Sequence, residues 1–252
     1  MLLSLLAPGA AFAQSEPDML NALPALETAS VAKVLDGGTL TLDDGKIVRL
    51  AGIEVPLPPL GEPDDWPWSE AARRALAALA EGRKVTVRGA SDKLDRYGRI
   101  TAELVRDDGL WLEGELVATG AVRVAPSPET ASLAPALLER EAAARRQRRG
   151  LWQARLYAVR RPALLEHESG SFQLVETVVR SAEDRHGIIW LDLGGAAARI
   201  DRPARQRFRA AGLDPLTLAG KPVRLRGWIE WQGRAVLALA QPEAVELLND
   251  PH

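Results

Sequence analysis

Cysteine is absent from the 252-residue chain, and neither sign of charge is in excess. The absence of cysteine excludes disulfides, zinc–cysteine sites and thiol catalysis. The formal net charge of −2 gives no support for tight binding of nucleic acid by a broadly basic surface, although a local basic groove is compatible with it. Long apolar segments are also missing, so the sequence predicts no membrane span in the mature chain.

The chain otherwise has the composition of an ordinary globular protein, with 46% hydrophobic and 26% charged residues. Its N-terminus differs from the rest. Residues 2–7 are apolar, and Ala11-Phe12-Ala13 has the small-x-small pattern of a cleavage site, although no Lys or Arg precedes the apolar run. We expect a signal peptide over residues 1–13, cleaved near Ala13, and a periplasmic or secreted protein. A disordered tail or a short anchor helix is the alternative.

The next part of the chain alternates like a β-sheet protein. Residues 14–27 are polar with scattered prolines, and we interpret them as a linker. Beyond them, apolar residues at strand spacing are interrupted by turn signals at residues 36–38 and 43–45, which predicts an antiparallel meander. Helices are predicted over residues 69–80, 110–120 and 135–149. Ser69 is a suitable N-cap for the first of them.

The pattern changes at residues 156–168, which we interpret as a domain boundary. Strands are predicted over residues 171–180, 187–193, 198–200, 223–231 and 235–239, with a helix over 203–211. Three strands, a helix and two strands are the order of a five-stranded OB barrel. We therefore expect an α+β protein that is mainly β with helices, with a first domain over residues 28–155 and an OB-like barrel over residues 168–248.

Three stretches in the first domain belong together. They are VLDGGTL at residues 34–40, VRLAGIEVP at 48–56 and DRYGR at 95–99. Each is weak alone, because a DGGT turn is a common hairpin. In this order, with a helix between the second and the third, they resemble the staphylococcal nuclease (thermonuclease) family. The resemblance reaches residues 151–152, covers about half of the chain and implies a nuclease-type OB barrel with packed helices.

The resemblance implies a division of labour in the site. In the family, carboxylates hold calcium, a glutamate activates water and two arginines neutralise charge on the phosphate. Arg49 and Arg99 fall on the two arginines, and Tyr97 falls on a phosphate-contacting tyrosine. Glu54 falls where the family has a metal-binding aspartate, and Asp36 falls on the first acid of the DGDT turn near the metal. The resemblance therefore implies Arg49, Arg99 and Glu54 as catalytic residues.

Two positions depart from the family pattern. Gly38 replaces the second acid of the DGDT turn, a calcium ligand, and Leu57 replaces the glutamate that serves as base. Calcium prefers six to eight oxygen ligands, and the loss of a general base costs about 10²–10⁴ in rate. We expect a weak or absent calcium site at Asp36 and Glu54. Three loop acids could rebuild the site instead: Glu62, Asp64 and Asp65.

Three functions remain open at this point. The chain could be an exported, catalytically degenerate nuclease-fold protein that binds nucleic acid, another phosphate ligand or a protein partner. It could be an active metal-dependent phosphodiesterase with a rebuilt site, so the activity itself is left open. It could also be a periplasmic scaffold for protein contacts, in which Arg49 and Arg99 form a buried ion network with Glu54 and Asp36.

The second domain carries a further candidate nucleic-acid face. Its members are three tryptophans and three arginines: Trp190, Trp228, Trp231, Arg224, Arg226 and Arg234. Aromatic side chains on such a face can stack on bases, and arginines can supply charge to the phosphates. Packing in or around a small barrel is the alternative interpretation of the same tryptophans.

Overall fold

The structure is a computed structural model that describes residues 15–58, 66–89, 91 and 93–249. The signal peptide expected at residues 1–13 and the acids at 62, 64 and 65 lie outside these ranges. Within them, no helix combines the length and the apolar character needed to cross a membrane. The fold class is confirmed, since the chain is mixed α and β with a nuclease-type barrel followed by a further β region.

Five strands of the first region close into a barrel in the order β1-β2-β3-β6-β5. The helices and strands of this region are α1 (Glu16–Ala22), β1 (Ala25–Asp36), β2 (Thr39–Leu42), β3 (Ile47–Leu50), β4 (Ile53–Glu54), α2 (Pro67–Ala80), β5 (Lys84–Arg88), β6 (Arg99–Arg106), α3 (Leu112–Ala118), β7 (Arg123–Val124) and α4 (Ala134–Arg146). Strands β4 and β7 form a separate two-stranded sheet beside the barrel. The predicted meander is thus β1, β2 and β3.

Alternation decides which side chains of β3 face the core. Val48 and Leu50 are buried, whereas Arg49 between them is exposed. Successive side chains of a strand point to opposite faces, so a barrel that buries the first pair must place Arg49 outside. β3 runs parallel to β6, with Arg49 opposite Thr101. This register places the DRYGR segment beside the VRLAGI segment.

Helix α2 covers the barrel between β4 and β5. Its buried residues Ala72, Leu76 and Ala80 recur every four positions, which is one face of a helix. The expected N-cap at Ser69 is wrong, because the helix begins at Pro67, whose fixed φ suits the first helical position. The Ser69 hydroxyl instead donates to the carbonyl of Pro56, and thereby ties the loop after β4 to the helix.

Residues 14–27 are not a linker over the part that the structure describes. Helix α1 starts after Ser15, whose Oγ accepts a hydrogen bond from the amide of Asp18 at 3.4 Å. Leu20 is buried against the barrel, and the Glu16 carboxylate pairs with Arg140 of α4. Of the two prolines in this segment, Pro17 stands in the first helical turn, where its missing N–H removes no helical hydrogen bond, and Pro24 directly precedes β1. Prolines were therefore a misleading sign of a linker here.

The second region forms one sheet in the order β14-β12-β13-β11-β10-β9, with β8 also paired to β12. Its helices and strands are β8 (Phe172–Val178), β9 (Ser181–Arg185), β10 (Ile188–Asp192), β11 (Ala196–Ile200), α5 (Arg202–Ala210), β12 (Pro222–Trp231), β13 (Ala235–Ala238) and β14 (Val245–Leu247). The sequence missed β9, which is polar and exposed, and β14, which has three residues.

The two regions share a pairing order if β8 and β9 are taken as halves of one bent strand. In the first barrel β3 is parallel to β6, and in the second region β11 is parallel to β13. A helix separates two sheet strands at the same place in each region: α2 lies between β3 and β5, and α5 lies between β11 and β12. The OB-like barrel over residues 168–248, and the domain boundaries themselves, stay predictions that this pairing order supports.

Candidate functional site

A cleft of about 510 Å³ lies between the two β regions. Arg49, the segment from Leu50 to Glu54, and Lys93 line one side of it, and Phe172 and Trp228 line the other. Such a volume is within the range of small-ligand sites. Of the residues implied by the family resemblance, Arg49 and Glu54 are the two that the structure brings together in this cleft.

Arg49 is an exposed arginine on the wall of the cleft. It makes no salt bridge with any residue in the described ranges. Its cross-strand neighbours are Thr39 on β2 and Thr101 on β6, which are uncharged. The alternative of a buried ion network between Arg49 and Glu54 is therefore wrong for Arg49. Its guanidinium faces solvent, where it can bind phosphate oxygens with two parallel hydrogen bonds.

Arg99 and Tyr97 lie at the start of β6, in a turn outside the cleft lining. The Nε of Arg99 donates to Oδ2 of Asp95 at 2.9 Å, and its Nη2 is 2.8 Å from the same oxygen. The Arg99 guanidinium carbon lies 5.0 Å from the centre of the Tyr97 ring, and Tyr97 is exposed. Arg99 is thus paired with Asp95, not with Asp36.

Asp95 is the acid that forms the ion pair with Arg99. Its Oδ1 accepts backbone hydrogen bonds from Tyr97 and Arg99 at 2.8 and 3.0 Å. Burial alone would raise the pKa of Asp95, but the Arg99 guanidinium and these two N–H groups lower it below its ordinary value. Asp95 therefore carries full charge at neutral pH and holds Arg99 in the turn.

Asp36 and Gly38 occupy the turn between β1 and β2. Oδ1 of Asp36 accepts a hydrogen bond from the amide of Gly38 at 2.7 Å, and Asp36 is exposed. A Cβ built on Gly38 would stand 2.9 Å from Cγ2 of Val55 and 3.6 Å from Cδ1 of Ile53. Val55 therefore fills the space into which an acidic side chain at position 38 would have to extend.

Glu54 is the buried acid of the site, with 7% of its surface exposed. It lies opposite Arg123 in the short β4–β7 pairing. Burial raises the pKa of Glu54 above its ordinary value of 4.5, and the positive charges of Arg123 and Arg49 offset this only in part. The nearest charged partner of Glu54 is thus a buried arginine of the adjacent strand.

The residues present do not fit calcium as the family resemblance would place it. Among the residues that the structure describes, no group of three or more acidic or histidine side chains is arranged to hold a metal ion. The carboxylate of Asp36 is engaged with the backbone of its own turn, Val55 occupies the space at Gly38, and Glu54 faces Arg123. These three positions therefore do not provide the several anionic oxygens that a calcium site needs.

Arg123 is a site residue that the sequence did not reveal. It is buried, and its Nη1 donates to the carbonyl of Phe172 at 2.6 Å. Its guanidinium carbon lies 5.2 Å from the Tyr157 ring centre and 5.1 Å from that of Phe172, while its Nε has no hydrogen-bond partner among the described residues. The one available signal was a charged residue between two buried valines, at positions 122 and 124.

A second cavity of about 230 Å³ adjoins the cleft. Glu54, Phe172 and Trp228 line both cavities, and Arg123 lines the second one. Leu57, at the position of the missing base, also lies here and contributes only hydrocarbon surface. A leucine side chain has no atom that can take a proton from water, so position 57 cannot supply a general base.

Two of the three arginines expected to supply positive charge beside the tryptophans of the second region form ion pairs with glutamates. Arg224 lies opposite Glu176 on β8 and Glu246 on β14, and pairs with both. Arg226 is fully buried and pairs with Glu141 of α4 at 2.8 Å and with Glu246. The expectation that these two arginines contact phosphates is wrong, since their charges are neutralised within the protein.

Comparisons with known proteins match the first region. The sequence model of a family described as "Staphylococcal nuclease homologue" matches residues 47–154. A protein from Escherichia coli described as "Uncharacterized endonuclease" is 35% identical over 123 residues, which are 48% of this chain and 74% of the relative. A protein of the same description from Escherichia coli O157:H7 is 34% identical over 123 residues, with the same shares. The family match contains Arg49, Glu54, Arg99 and Arg123 and ends before β8.

Proposed function

Because the chain belongs to the staphylococcal nuclease family, we propose that it binds nucleic acid through Arg49 in the cleft and cleaves it with calcium slowly or not at all. Three properties of Arg49 support binding: it is exposed, it makes no salt bridge within the described ranges, and it lines a cleft large enough for a ligand. Charge-assisted hydrogen bonds from such a guanidinium are among the strongest that a phosphate receives.

The observation that best supports a loss of calcium-dependent cleavage is the contact between positions 38 and 55. A Cβ built on Gly38 would stand 2.9 Å from Val55. The space beside Gly38 is therefore filled by Val55 and does not offer room for an ion. The site has been repacked with hydrocarbon. Together with the loss of the base at Leu57, this predicts a rate several orders of magnitude below that of a complete site.

The direct test is cleavage of single-stranded DNA and RNA by the full chain, with calcium and then with chelator. We expect binding in both conditions and little or no product in either. Calcium-dependent cleavage that disappears in Arg49→Ala would overturn the proposal and favour a metal site rebuilt by the acids at positions 62, 64 and 65. If neither nucleic acid binds, a scaffold for protein contacts is the better explanation.

Reconstruction of the site is the converse test. The triple variant Gly38→Asp, Val55→Ala, Leu57→Glu restores an acid at position 38, removes the Cγ2 atom that blocks it and restores the base. We expect calcium-dependent cleavage to rise by about 10²-fold or more, because a positioned base alone contributes that much. The measurement is product release from a labelled single strand.

The matched control is the double variant Gly38→Asp, Leu57→Glu, which keeps Val55. It should gain much less than the triple variant, because the new aspartate is then forced against Val55. Equal gains in the two variants would show that Val55 does not block the ligand position. No gain in either would show that positions 38 and 57 are not the two missing parts of the site.

We also propose that the protein is exported to the periplasm or the medium, as the small-x-small pattern at Ala11-Phe12-Ala13 supports. N-terminal sequencing of the protein from a periplasmic fraction should begin near Gln14. A chain that retains its first residues in the cytoplasmic fraction would refute this proposal.

A further inference from the structure

Trp228 is the aromatic side chain that the second region presents to the cleft. It lies on β12 directly opposite Phe172 on β8, and the two rings meet edge to face with centres 6.1 Å apart. Phe172 is buried, whereas 43% of Trp228 is exposed. One edge of the indole is therefore fixed by packing while much of its surface remains open to a ligand.

The backbone beside Trp228 is closely packed. Gly227 also lines the cleft, and a Cβ built on it would stand 2.8 Å from the carbonyl oxygen of Ala238. No side chain fits at position 227 without displacing backbone of β13. Glycine at position 227 therefore keeps β12 close to β13, and the exposed surface of Trp228 is the part of this segment that a flat group can reach.

The structure separates Trp228 from the other two tryptophans of the predicted face. Trp231 is 50% exposed but lines neither cavity, and Trp190 is partly buried on β10. Trp228 shares the cleft with Arg49. One wall of the cleft thus offers a phosphate-binding cation, and the opposite wall offers an aromatic surface.

We propose that Trp228 is a stacking platform for one unpaired base whose phosphate is bound by Arg49, so that the ligand of the cleft is single-stranded nucleic acid. This inference rests on the function proposed above. In a nucleotide, one sugar separates the phosphate from the base, which suits two groups on facing walls of one cleft. A duplex does not suit it, because its bases are stacked on each other and their faces are covered.

Two cations of the cleft lining, Arg49 and Lys93, make no salt bridge within the described ranges. Asp95 lines the cleft, but Arg99 pairs with it. Arg226 also lines the cleft, and its charge is neutralised by Glu141 and Glu246. Few cations of the cleft are thus available to phosphates, and stacking must supply the rest of the affinity.

Binding to three probes separates the base from the phosphate. The probes are a labelled oligothymidylate, a strand of the same length with abasic sugars, and a hairpin duplex, each measured by fluorescence anisotropy in chelator. Trp228→Ala should weaken binding of the oligothymidylate by roughly tenfold and leave the abasic strand and the duplex unchanged, since one base stack contributes about 1–3 kcal/mol. Arg49→Ala should weaken binding of both single strands.

Trp231→Ala is the matched control, because it removes an exposed tryptophan of the same strand outside the cleft, and it should change none of the three affinities. Trp228→Leu keeps an apolar contact with Phe172 and serves if Trp228→Ala fails to fold. Its effect on the oligothymidylate should match that of Trp228→Ala.

The outcomes distinguish failure of this inference from failure of the proposed function. If Arg49→Ala weakens binding but the Trp228 variants do not, or if they weaken the abasic strand equally, Trp228 is not a base platform and the proposed function stands. If the full chain binds none of the probes, the proposed function fails and the inference fails with it.

Discussion

Strand β3 of the first barrel and strand β12 of the second region each carry an arginine in the middle of a sheet, and the neighbours of the two arginines differ. Arg49 on β3 has Thr39 and Thr101 as cross-strand neighbours. Arg224 on β12 has Glu246 and Glu176 as its cross-strand neighbours. The first guanidinium is free to meet a ligand, and the second is held between two carboxylates.

This difference shows why a shared strand order does not give a shared site. Both regions pair their strands alike, yet an arginine becomes a binding group or a structural group according to the residues beside it on adjacent strands. The arginines in the middle of the second region's sheet form ion pairs, and this region offers an aromatic surface to the cleft instead. The ligand site that we propose therefore lies between the regions, with one chemical half from each.

The largest expected effect comes from breaking the buried ion pair that joins Arg226 of the second region to Glu141 of the first. Arg226 and Glu141 are fully buried, with Nη1 and Oε2 2.8 Å apart, and Nη1 also donates to the carbonyl of Val124 at 3.1 Å. Arg226→Met should lower the free energy of unfolding by about 3–5 kcal/mol, because it leaves the buried carboxylate of Glu141 without its partner. Urea denaturation of the full chain measures this loss.

Two further variants sharpen that result. The double variant Arg226→Met, Glu141→Gln should recover more than half of the loss, because a glutamine at 141 still accepts from the amide of Val124 without an uncompensated charge. Arg234→Met, at an exposed position of the β12–β13 turn, should change stability by less than about 0.5 kcal/mol. Equal effects of Arg226→Met and Arg234→Met would refute a structural role for the buried pair.

The sequence predicted those parts of the fold that local pattern determines. The DGGT turn and alternating apolar residues predicted β1 to β3. The resemblance assigned Arg49 and Glu54 to one site, and both line the same cleft, while their roles stay predictions. Strand β9 was missed because Ser181–Arg185 is polar, and such a strand is stabilised by its pairing with β10 and not by burial.

The site residues that could not be predicted depend on register and on packing between distant segments. Arg123 meets Glu54 only through the two-residue pairing of β4 with β7. Val55 after β4 contacts position 38 in the β1–β2 turn, and only the packing of the two regions places Trp228 in the cleft beside Arg49. None of these has a local signature, because each depends on which residues become neighbours in the folded chain.

A smaller effect is expected from Glu103 and Glu113, two buried acids of the first barrel whose negative charges repel each other. Burial raises the pKa of Glu103 to about 7, although hydrogen bonds from Trp111 and Glu113 work against this, and the pKa of Glu113 is raised by burial and by the charge of Glu103. Both folded values lie above the ordinary value of 4.5. The protonated pair therefore stabilises the fold fully below about pH 4.5, and this contribution is lost as the pH rises through about 7.

Glu103→Gln should remove much of this pH dependence. The amide oxygen of glutamine still accepts from Nε1 of Trp111, and the side chain has no proton to lose. We expect the variant to be more stable than the natural chain by about 2–3 kcal/mol at pH 8 and nearly equal at pH 4.5. Thermal or urea unfolding across this range measures the slope. Glu139→Gln, at an exposed position of α4, should leave the slope unchanged, and an equal change in both variants would contradict the assignment to Glu103.

The smallest effect tests whether a free arginine and a paired arginine of the same barrel differ as their neighbours predict. Arg49→Ala should weaken binding of single-stranded DNA by roughly tenfold and reduce the salt dependence by about one phosphate contact. Arg99→Ala should weaken it by less than about threefold, because Asp95 already holds that guanidinium at 2.8 Å. Anisotropy titrations over a series of salt concentrations measure both. Asp95→Asn should then increase the affinity in an otherwise natural chain, since it releases Arg99. If Arg49 and Arg99 contribute equally, the phosphate is bound at the DRYGR turn as well as in the cleft, and cross-strand neighbours do not decide which arginine binds it.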